Sequence, residues 1–196
     1  FTYVQAPFSV HADLSSGESA MRDSARFHFG FTVPFLAHFS AAAAVDAVAQ
    51  SRGDLALVSA AGSQTPWWTA LEPGGTPKII ARLPFIERAD HPAALPVFVI
   101  SRVAPDALVT EVEMWSIHVG GWSAGAARAV SPLAEIIAVP DTASGGAALL
   151  ASVTEPGGVT KIISALTQAG ASVRSSALVG GHATRYTVPS GGGSKA

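Results

Sequence analysis

The sequence contains no cysteine. This absence excludes disulfides, thiolate nucleophiles and cysteine-ligated metal sites together, and it fits a cytoplasmic location. Charged residues are also scarce: they make up 13% of the 196 residues, with 12 basic and 14 acidic side chains. Because there is no basic tract, a nucleic-acid groove or an affinity for anionic membranes is not indicated.

Long apolar runs are missing as well. No stretch reaches the roughly 18 uninterrupted apolar residues of a membrane span, and the amino terminus does not resemble a secretory signal. The six histidines (positions 11, 28, 38, 91, 118 and 182) do not have metal-site spacing. We therefore expect a soluble protein without metal or cofactor. The chain opens at Phe1, without an initiator methionine, which predicts that it is part of a longer polypeptide.

The clearest pattern present is a helix that runs into a buried strand. Ser40 can cap a helix, and Gly53 supplies a residue that can end it. The apolar run Leu55 to Val58 then lacks alternation, which is typical of a parallel strand covered on both faces. Since ligands of α/β sheets gather beyond the carboxyl ends of strands, the segment from Ser59 to Trp68 is a candidate binding loop.

The first half alternates strand and helix. Strands are predicted at Pro7 to Ala12 and Thr32 to Phe39, with a helix over Glu18 to Phe29 between them. Further strands follow at Lys78 to Ile86 and Leu95 to Arg102. This order predicts a small parallel α/β domain over residues 1–104.

The pattern changes from Leu108 onward. Val109 to Val119 alternates as a half-buried antiparallel strand does, and helices are predicted over Ser123 to Leu133 and Gly157 to Ala169. The remaining predicted strands are Ile136 to Val139, Ala147 to Val153, Ser172 to Val179 and Ala183 to Val188. Two successive strand-helix-strand units predict a ferredoxin-like domain at 108–189, with a sheet separate from that of the first domain. A flexible Gly/Ser tail is expected at 190–196.

Two segments are candidate ligand sites. One is the loop after the buried strand, and the other is the start of the second helix in the second half, where free amides can receive a carboxylate. The candidate residues are Gly62, Ser63, Gln64, Thr65, Trp67, Trp68, Pro156, Gly157, Gly158 and Val159. Both segments are equally compatible with ordinary turns, and tryptophans are more often core residues than binding surfaces.

Ser123 raises a rival interpretation. Gly121-Trp122-Ser123-Ala124-Gly125 matches the Gly-x-Ser-x-Gly pattern of a hydrolase nucleophile that follows a strand and opens a helix. The preceding strand has a half-exposed, antiparallel pattern, and no Asp-then-His order with an oxyanion loop is evident. A serine hydrolase, or another small-molecule enzyme that uses Ser123, is therefore the alternative to a non-catalytic module.

Residues 16–59 resemble the amino-terminal lobe of prephenate dehydratase. The resemblance consists of a Gly-rich turn opening a helix, then a strand, a helix and a strand of the form Gly-Asp-x-Ala-x-Val, here Gly53 to Val58. Ile80 to Ile86 looks like the family's Glu-x-x-Leu-Pro-Ile strand. The resemblance implies a single lobe of a periplasmic-binding-like α/β fold.

The sequence departs from that family at its catalytic signatures. The family's Pro-x-Glu-Asn-Ser is here Ala60 to Gln64, and its Thr-Arg-Phe signature is missing before Phe98 to Ile100. Only Glu87 to Pro96 stands where the family inserts a second lobe. We therefore expect no prephenate dehydratase activity, because both the acid at the leaving hydroxyl and the closed site are missing.

The second half resembles an ACT-type regulatory domain. Glu155 to Val159, continuing through Leu166 and Gly170, is similar to the ACT loop-helix motif, although it lies on the second helix instead of the first. The combination looks like the region downstream of the chorismate mutase domain in some bacterial proteins. It implies a non-catalytic regulatory or assembly module of aromatic amino-acid biosynthesis, forming a homodimer and able to bind an amino acid or other small carboxylate.

Overall fold

The computed structural model describes residues 7–88, 90–102 and 110–188. The helices are α1 Glu18–Phe29, α2 Ala41–Gln50, α3 Ala124–Val130 and α4 Gly158–Gln168, with a short 3-10 helix at Trp67–Leu71. The strands are β1 Val10–Asp13, β2 Phe35–His38, β3 Leu55–Ser59, β4 Lys78–Leu83, β5 Ile86–Glu87, β6 Val97–Ser101, β7 Val112–Gly120, β8 Glu135–Asp141, β9 Gly146–Val153, β10 Ser172–His182 and β11 Tyr186–Thr187. Within these ranges, no helix is long and apolar enough to cross a membrane.

The first two helices form largely where the sequence predicts them. α1 has the predicted bounds, and the Ser40 side chain caps α2 by accepting a 3.2 Å hydrogen bond from the Ala43 amide. Gly53, however, does not end α2. The helix stops at Gln50, because Ser51 adopts an extended conformation and its amide bonds to the Val48 carbonyl.

The first three strands, β1 to β3, are parallel, as predicted. β1 lies between β2 and β3, and every residue of β3 is buried. The sheet then becomes mixed, because β6 runs antiparallel to both β3 and β4. The expectation of an all-parallel first half is therefore correct for β1 to β3 only.

The second half follows the order β7–α3–β8–β9–α4–β10. Its four strands are antiparallel and lie side by side as β10-β7-β9-β8. Apolar side chains of both helices, such as Val130 and Ile162, share one core cluster with Ile117 and Leu149 of the sheet. The assignment of this half to the ferredoxin-like class stays a prediction.

The two halves share one sheet. The nine-stranded sheet has the order β2-β1-β3-β6-β4-β10-β7-β9-β8, and the halves meet where Gly180 of β10 pairs with Ile79 of β4. One core cluster also spans them, with Trp68 and Phe98 from the first half and Met114 from the second. The expectation of two separate sheets is therefore wrong. The division at 1–104 and 108–189 stays a prediction, and residues 103–109 and 189–196, which include the predicted tail, lie outside the described residues.

A second, two-stranded sheet lies beside this junction. β5 and β11 pair in parallel, with Tyr186 opposite Ile86 and Thr187 opposite Glu87. β5 follows β4 closely and β11 follows β10 closely, so the small sheet continues the contact between the halves. It brings Arg185 and Glu87 together next to the end of β10.

Candidate functional site

The first predicted ligand loop is closed by its own hydrogen bonds. The Ser63 hydroxyl donates to the Thr65 carbonyl at 2.6 Å and accepts from the Thr65 amide at 3.2 Å, and this exposed turn precedes the 3-10 helix. Trp67 and Trp68 are only 4% and 0% exposed and lie in the core. Core packing covers the two indole rings, and a ligand role for Trp67 and Trp68 stays a prediction. A ligand role for Gly62 to Thr65 stays a prediction.

The second predicted segment follows Glu155, whose carboxylate pairs with Lys161. Gly157 has a φ of +72°, and the first amides of α4 bond locally, Gly158 to the Glu155 carbonyl at 2.9 Å and Thr160 to the Gly157 carbonyl at 3.1 Å. A hydrogen bond from Lys161 lowers the pKa of Glu155 and keeps it charged. A ligand role for Pro156, Gly157, Gly158 and Val159 stays a prediction.

Ser123 is a helix cap. Its hydroxyl accepts a 3.2 Å hydrogen bond from the Ala126 amide at the start of α3, and its backbone is extended, as at helix amino ends. Among the described residues, no histidine hydrogen-bonds to Ser123. The local structure thus explains this serine without a catalytic role.

A groove of about 430 Å³ lies where the two halves meet. Strands β4 and β5 of the first half contribute one side, and β8, β9, β10 and the following segment contribute the other. Its lining is Arg82, Glu87, Val112, Ser131, Pro132, Leu133, Ala134, Glu135, Ser152, Thr154, His182, Thr184, Arg185 and Thr187. Neither predicted ligand segment contributes to it.

An ion pair between the halves lines this groove. Arg82 is 6% exposed and interrupts the apolar residues that follow Lys78 in β4. Its guanidinium donates to both Glu135 oxygens, at 2.5 and 2.7 Å. The Phe98 ring lies below, 5.5 Å from the guanidinium carbon. These hydrogen bonds outweigh the partial burial of Glu135 and hold its pKa below the usual range.

Two buried polar atoms of the groove have no hydrogen-bond partner. His182 is 3% exposed, and its Nδ1 contacts the Ala183 carbonyl at 2.8 Å. Nδ1 must therefore carry the hydrogen, which leaves Nε2 as an unpartnered acceptor, while Nε of Arg82 is an unpartnered donor. Burial lowers the pKa of His182, and the neighbouring Arg82 and Arg185 act in the same direction, so the ring is neutral at pH 7.

Arg185 completes the charged lining. Its side chain is 15% exposed and lies 3.4 Å from Glu87, longer than a good hydrogen bond. Burial lowers the pKa of Arg185, with Arg82 adding to the effect, although the group stays charged at neutral pH. With His182 neutral, the two arginines balance the two glutamates and the groove carries no net charge.

This arrangement can hold a small polar molecule. Arg185 has donors left for a carboxylate. Within the described ranges, no group of His, Asp or Glu side chains could hold a metal ion. The sequence analysis did not select Arg82, His182 or Arg185. Arg82 was a usable signal, because an arginine within a run of apolar residues is unusual.

Comparisons with known proteins bear on the fold. No protein-family model matches the chain, and a search of curated proteins finds no match. A prephenate dehydratase from Streptococcus mutans is 13% identical with a TM-score of 0.52, over 92% of this chain and 99% of that one. A protein described as GqqA, a novel type of quorum quenching acylase, is 14% identical with a TM-score of 0.53, over 89% and 93%. At such identities the likeness concerns the fold alone: the chain has a prephenate dehydratase-like α/β fold.

Proposed function

We propose that the chain is a non-catalytic regulatory or assembly module of an aromatic amino-acid biosynthesis protein, and that it binds a small carboxylate in the groove. One observation carries the proposal. The groove is lined by the buried Arg82 and by Arg185, whose contact with Glu87, at 3.4 Å, is too long for a good hydrogen bond. A carboxylate that reached Arg185 would gain charge-assisted hydrogen bonds, which are stronger than hydrogen bonds between neutral groups.

The charges favour a zwitterion over a free anion. Arg82 is engaged by Glu135, so a simple anion has only Arg185 to compensate it and meets two carboxylates nearby. An α-amino acid offers a carboxylate to Arg185 and an ammonium group to Glu87 or Glu135. Both ends then find opposite charges in a groove of low net charge.

The order of the second half supports a regulatory role. β7–α3–β8–β9–α4–β10, with the sheet order β10-β7-β9-β8, is the arrangement expected for an ACT-like domain. β8 is an edge strand, and modules of this kind can pair through such edges. A homodimer, a cytoplasmic location and an upstream chorismate mutase domain belong to the same proposal.

Thermal shift tests the proposal. Phenylalanine, tyrosine, tryptophan, prephenate and chorismate are added separately, and a true ligand raises the melting temperature through mass action. Two analogues test whether binding needs both charged groups. 3-Phenylpropionate lacks the ammonium group, and phenethylamine lacks the carboxylate. Stabilisation by an amino acid but by neither analogue is expected.

Arg185→Gln should abolish that stabilisation, because it removes the charge that receives the carboxylate. Arg174→Gln is the matched control: it removes an exposed arginine of β10 that does not line the groove. No stabilisation by any compound would refute ligand binding. If sedimentation then shows a concentration-dependent dimer, assembly alone is the better account.

A further inference from the structure

A second cavity, of about 210 Å³, lies between α1 and the amino-terminal ends of β1 and β2. The segment that joins α1 to β2 also lines it. Four side chains of α1 reach the cavity and are three or four residues apart, which places them on one face of the helix: Arg22, Ala25, Arg26 and Phe29. None of the lining residues belongs to the groove between the halves, so this cavity is independent of the function proposed above.

Two arginines of this lining have hydrogen-bond donors left over. Nε of Arg22 donates to Glu18 at 2.8 Å, and this is the one hydrogen bond of its side chain within the described ranges. The guanidinium of Arg26 is exposed and has no hydrogen bond or ion pair with any described residue. Glu18 therefore balances at most one of the two positive charges.

Phenylalanine rings lie beside both guanidinium groups. The guanidinium carbon of Arg22 is 4.6 Å from the centre of the Phe35 ring, and that of Arg26 is 5.7 Å from the centre of the Phe31 ring. Contact with the face of a ring uses none of the N–H groups, so these remain free for an anion. Phe31 is 85% exposed, which leaves an apolar surface at the edge of the cavity.

The volume and the apolar lining suit one aromatic ring. An apolar cavity of about 150 Å³ is large enough to hold benzene, so about 210 Å³ admits a ring with a substituent. The apolar side chains of the lining are Val10, Ala25, Phe29, Phe31, Val33 and Phe35. A ring in the cavity would pack against these side chains and cover part of Phe31.

The charges suit a phosphate group on that ring. Arg22 and Arg26 are four residues apart on a helix, which places their Cβ atoms about 5–6 Å from each other. A phosphate monoester carries nearly two negative charges above pH 7 and has three acceptor oxygens, so it can bind both guanidinium groups at once. The Arg22 pair with Glu18 is exposed and therefore weak, and a phosphate can compete with it.

We propose that this cavity binds small aromatic phosphate monoesters. The phosphate oxygens accept hydrogen bonds from Arg26 and from the Nη groups of Arg22. The ring packs between the helix and the segment that precedes β2, against Phe29 and Phe31. A carboxylate brings one charge and two oxygens, so it would leave one of the two arginines unbalanced.

Calorimetric titration of the full chain with phenyl phosphate at pH 8 tests the ligand class. Phenyl phosphate should bind one site and saturate it. Inorganic phosphate lacks the ring, and benzoate lacks the second charge. Each should bind at least about tenfold more weakly, the factor that corresponds to losing one hydrogen bond to a charged group or the burial of one ring.

Variants locate the site. Arg26→Gln should weaken the binding of phenyl phosphate by about tenfold, because it removes one of the two charges. Phe31→Ala should weaken it by about fivefold through the lost aromatic contact, and the fold should persist because this ring is exposed. Arg128→Gln is the matched control, since it removes an exposed arginine from the last turn of α3.

Arg185→Gln should also leave this affinity unchanged, so failure here and failure of ligand binding in the groove can be told apart. Three results would overturn the proposal. One is the lack of saturable binding of phenyl phosphate. Another is inorganic phosphate or benzoate binding as tightly as phenyl phosphate. The third is an unchanged affinity in either Arg26→Gln or Phe31→Ala, because the ligand would then lie elsewhere.

Discussion

Arg82 and Glu135, 53 residues apart, are joined by two hydrogen bonds of 2.5 and 2.7 Å. The pair connects β4 to the start of β8 and therefore links the two halves of the chain. The exposure of its members differs sharply, at 7% for the arginine side chain and 53% for the glutamate side chain. Removing one partner or the other should consequently have different effects.

Glu135→Ala should lower the free energy of unfolding by about 2 kcal/mol, because it leaves the buried Arg82 charge without its partner. Arg82→Met should cost less than about 1 kcal/mol, since the freed carboxylate is half exposed and can return to water. Chemical denaturation measures both. Glu18→Ala, which breaks the exposed pair with Arg22, is the control. Equal losses in Glu135→Ala and the control would contradict the assigned role of the pair.

Gly180 should tolerate no side chain. Its φ is +139°, and a Cβ there would lie 2.2 Å from the Ile79 carbonyl oxygen, at the pair that joins the halves. We expect Gly180→Ala to cost about 3 kcal/mol or more through backbone strain and overlap. Gly74→Ala, where nothing lies within 4 Å and φ is not positive, is the matched control. Thermal melts that do not distinguish the two variants would disprove the close approach of β10 to β4.

His28 should make stability depend on pH. Burial, and secondarily His91, lower the pKa of His28 to about 4. An unfolded histidine titrates near pH 6.5, so between about pH 6.5 and 4 the unfolded chain takes up a proton that the folded protein does not. The stability of the folded protein is therefore highest above about pH 6.5 and falls as the pH is lowered towards about 4. His28→Phe keeps an aromatic ring between Phe27 and His91 but removes the side chain that takes up a proton.

The melting temperature of His28→Phe should therefore fall less over that pH interval than that of the unaltered protein. His91→Phe is the comparison, since it retains His28 and its burial. Identical slopes for His28→Phe and the unaltered protein would show that His28 does not contribute.

Ser123 should behave as a cap and not as a nucleophile. Ser123→Ala should cost about 1 kcal/mol, and Ser40→Ala, which removes the corresponding cap of α2, should cost a similar amount. A fluorophosphonate probe should leave Ser123 unlabelled. Labelling of Ser123 in the folded protein would contradict the capping role and support the hydrolase interpretation.

Local signals in the sequence predicted much of the fold. The bounds of α1, the Ser40 cap and the buried strand β3 all follow from residues that are neighbours along the chain. The junction of the two halves was not predictable in this way. It depends on the contact of Gly180 with Ile79, about a hundred residues away, and no pattern specifies such a distant pairing.

The groove was not predictable for the same reason, because residues distant in the sequence form it. Helix amino ends and loops after strands are visible in a sequence, so they were selected, whereas the groove is assembled from β4, β5, β8 and β10. Arg82 was the one available signal. A charge within the apolar run of β4 requires a partner, but the sequence does not say that the partner is Glu135.

The central claim is that an α-amino acid binds in the groove beside Arg185 and His182, and NMR titration tests it most directly. On addition of the amino acid that stabilises the protein, the ring resonances of His182 and the amides of Thr184 and Thr187 should shift and saturate together. Arg185→Gln should abolish these shifts. Saturating shifts that instead fall on residues 62–65 or 156–159, or no saturating shift at all, would contradict the account.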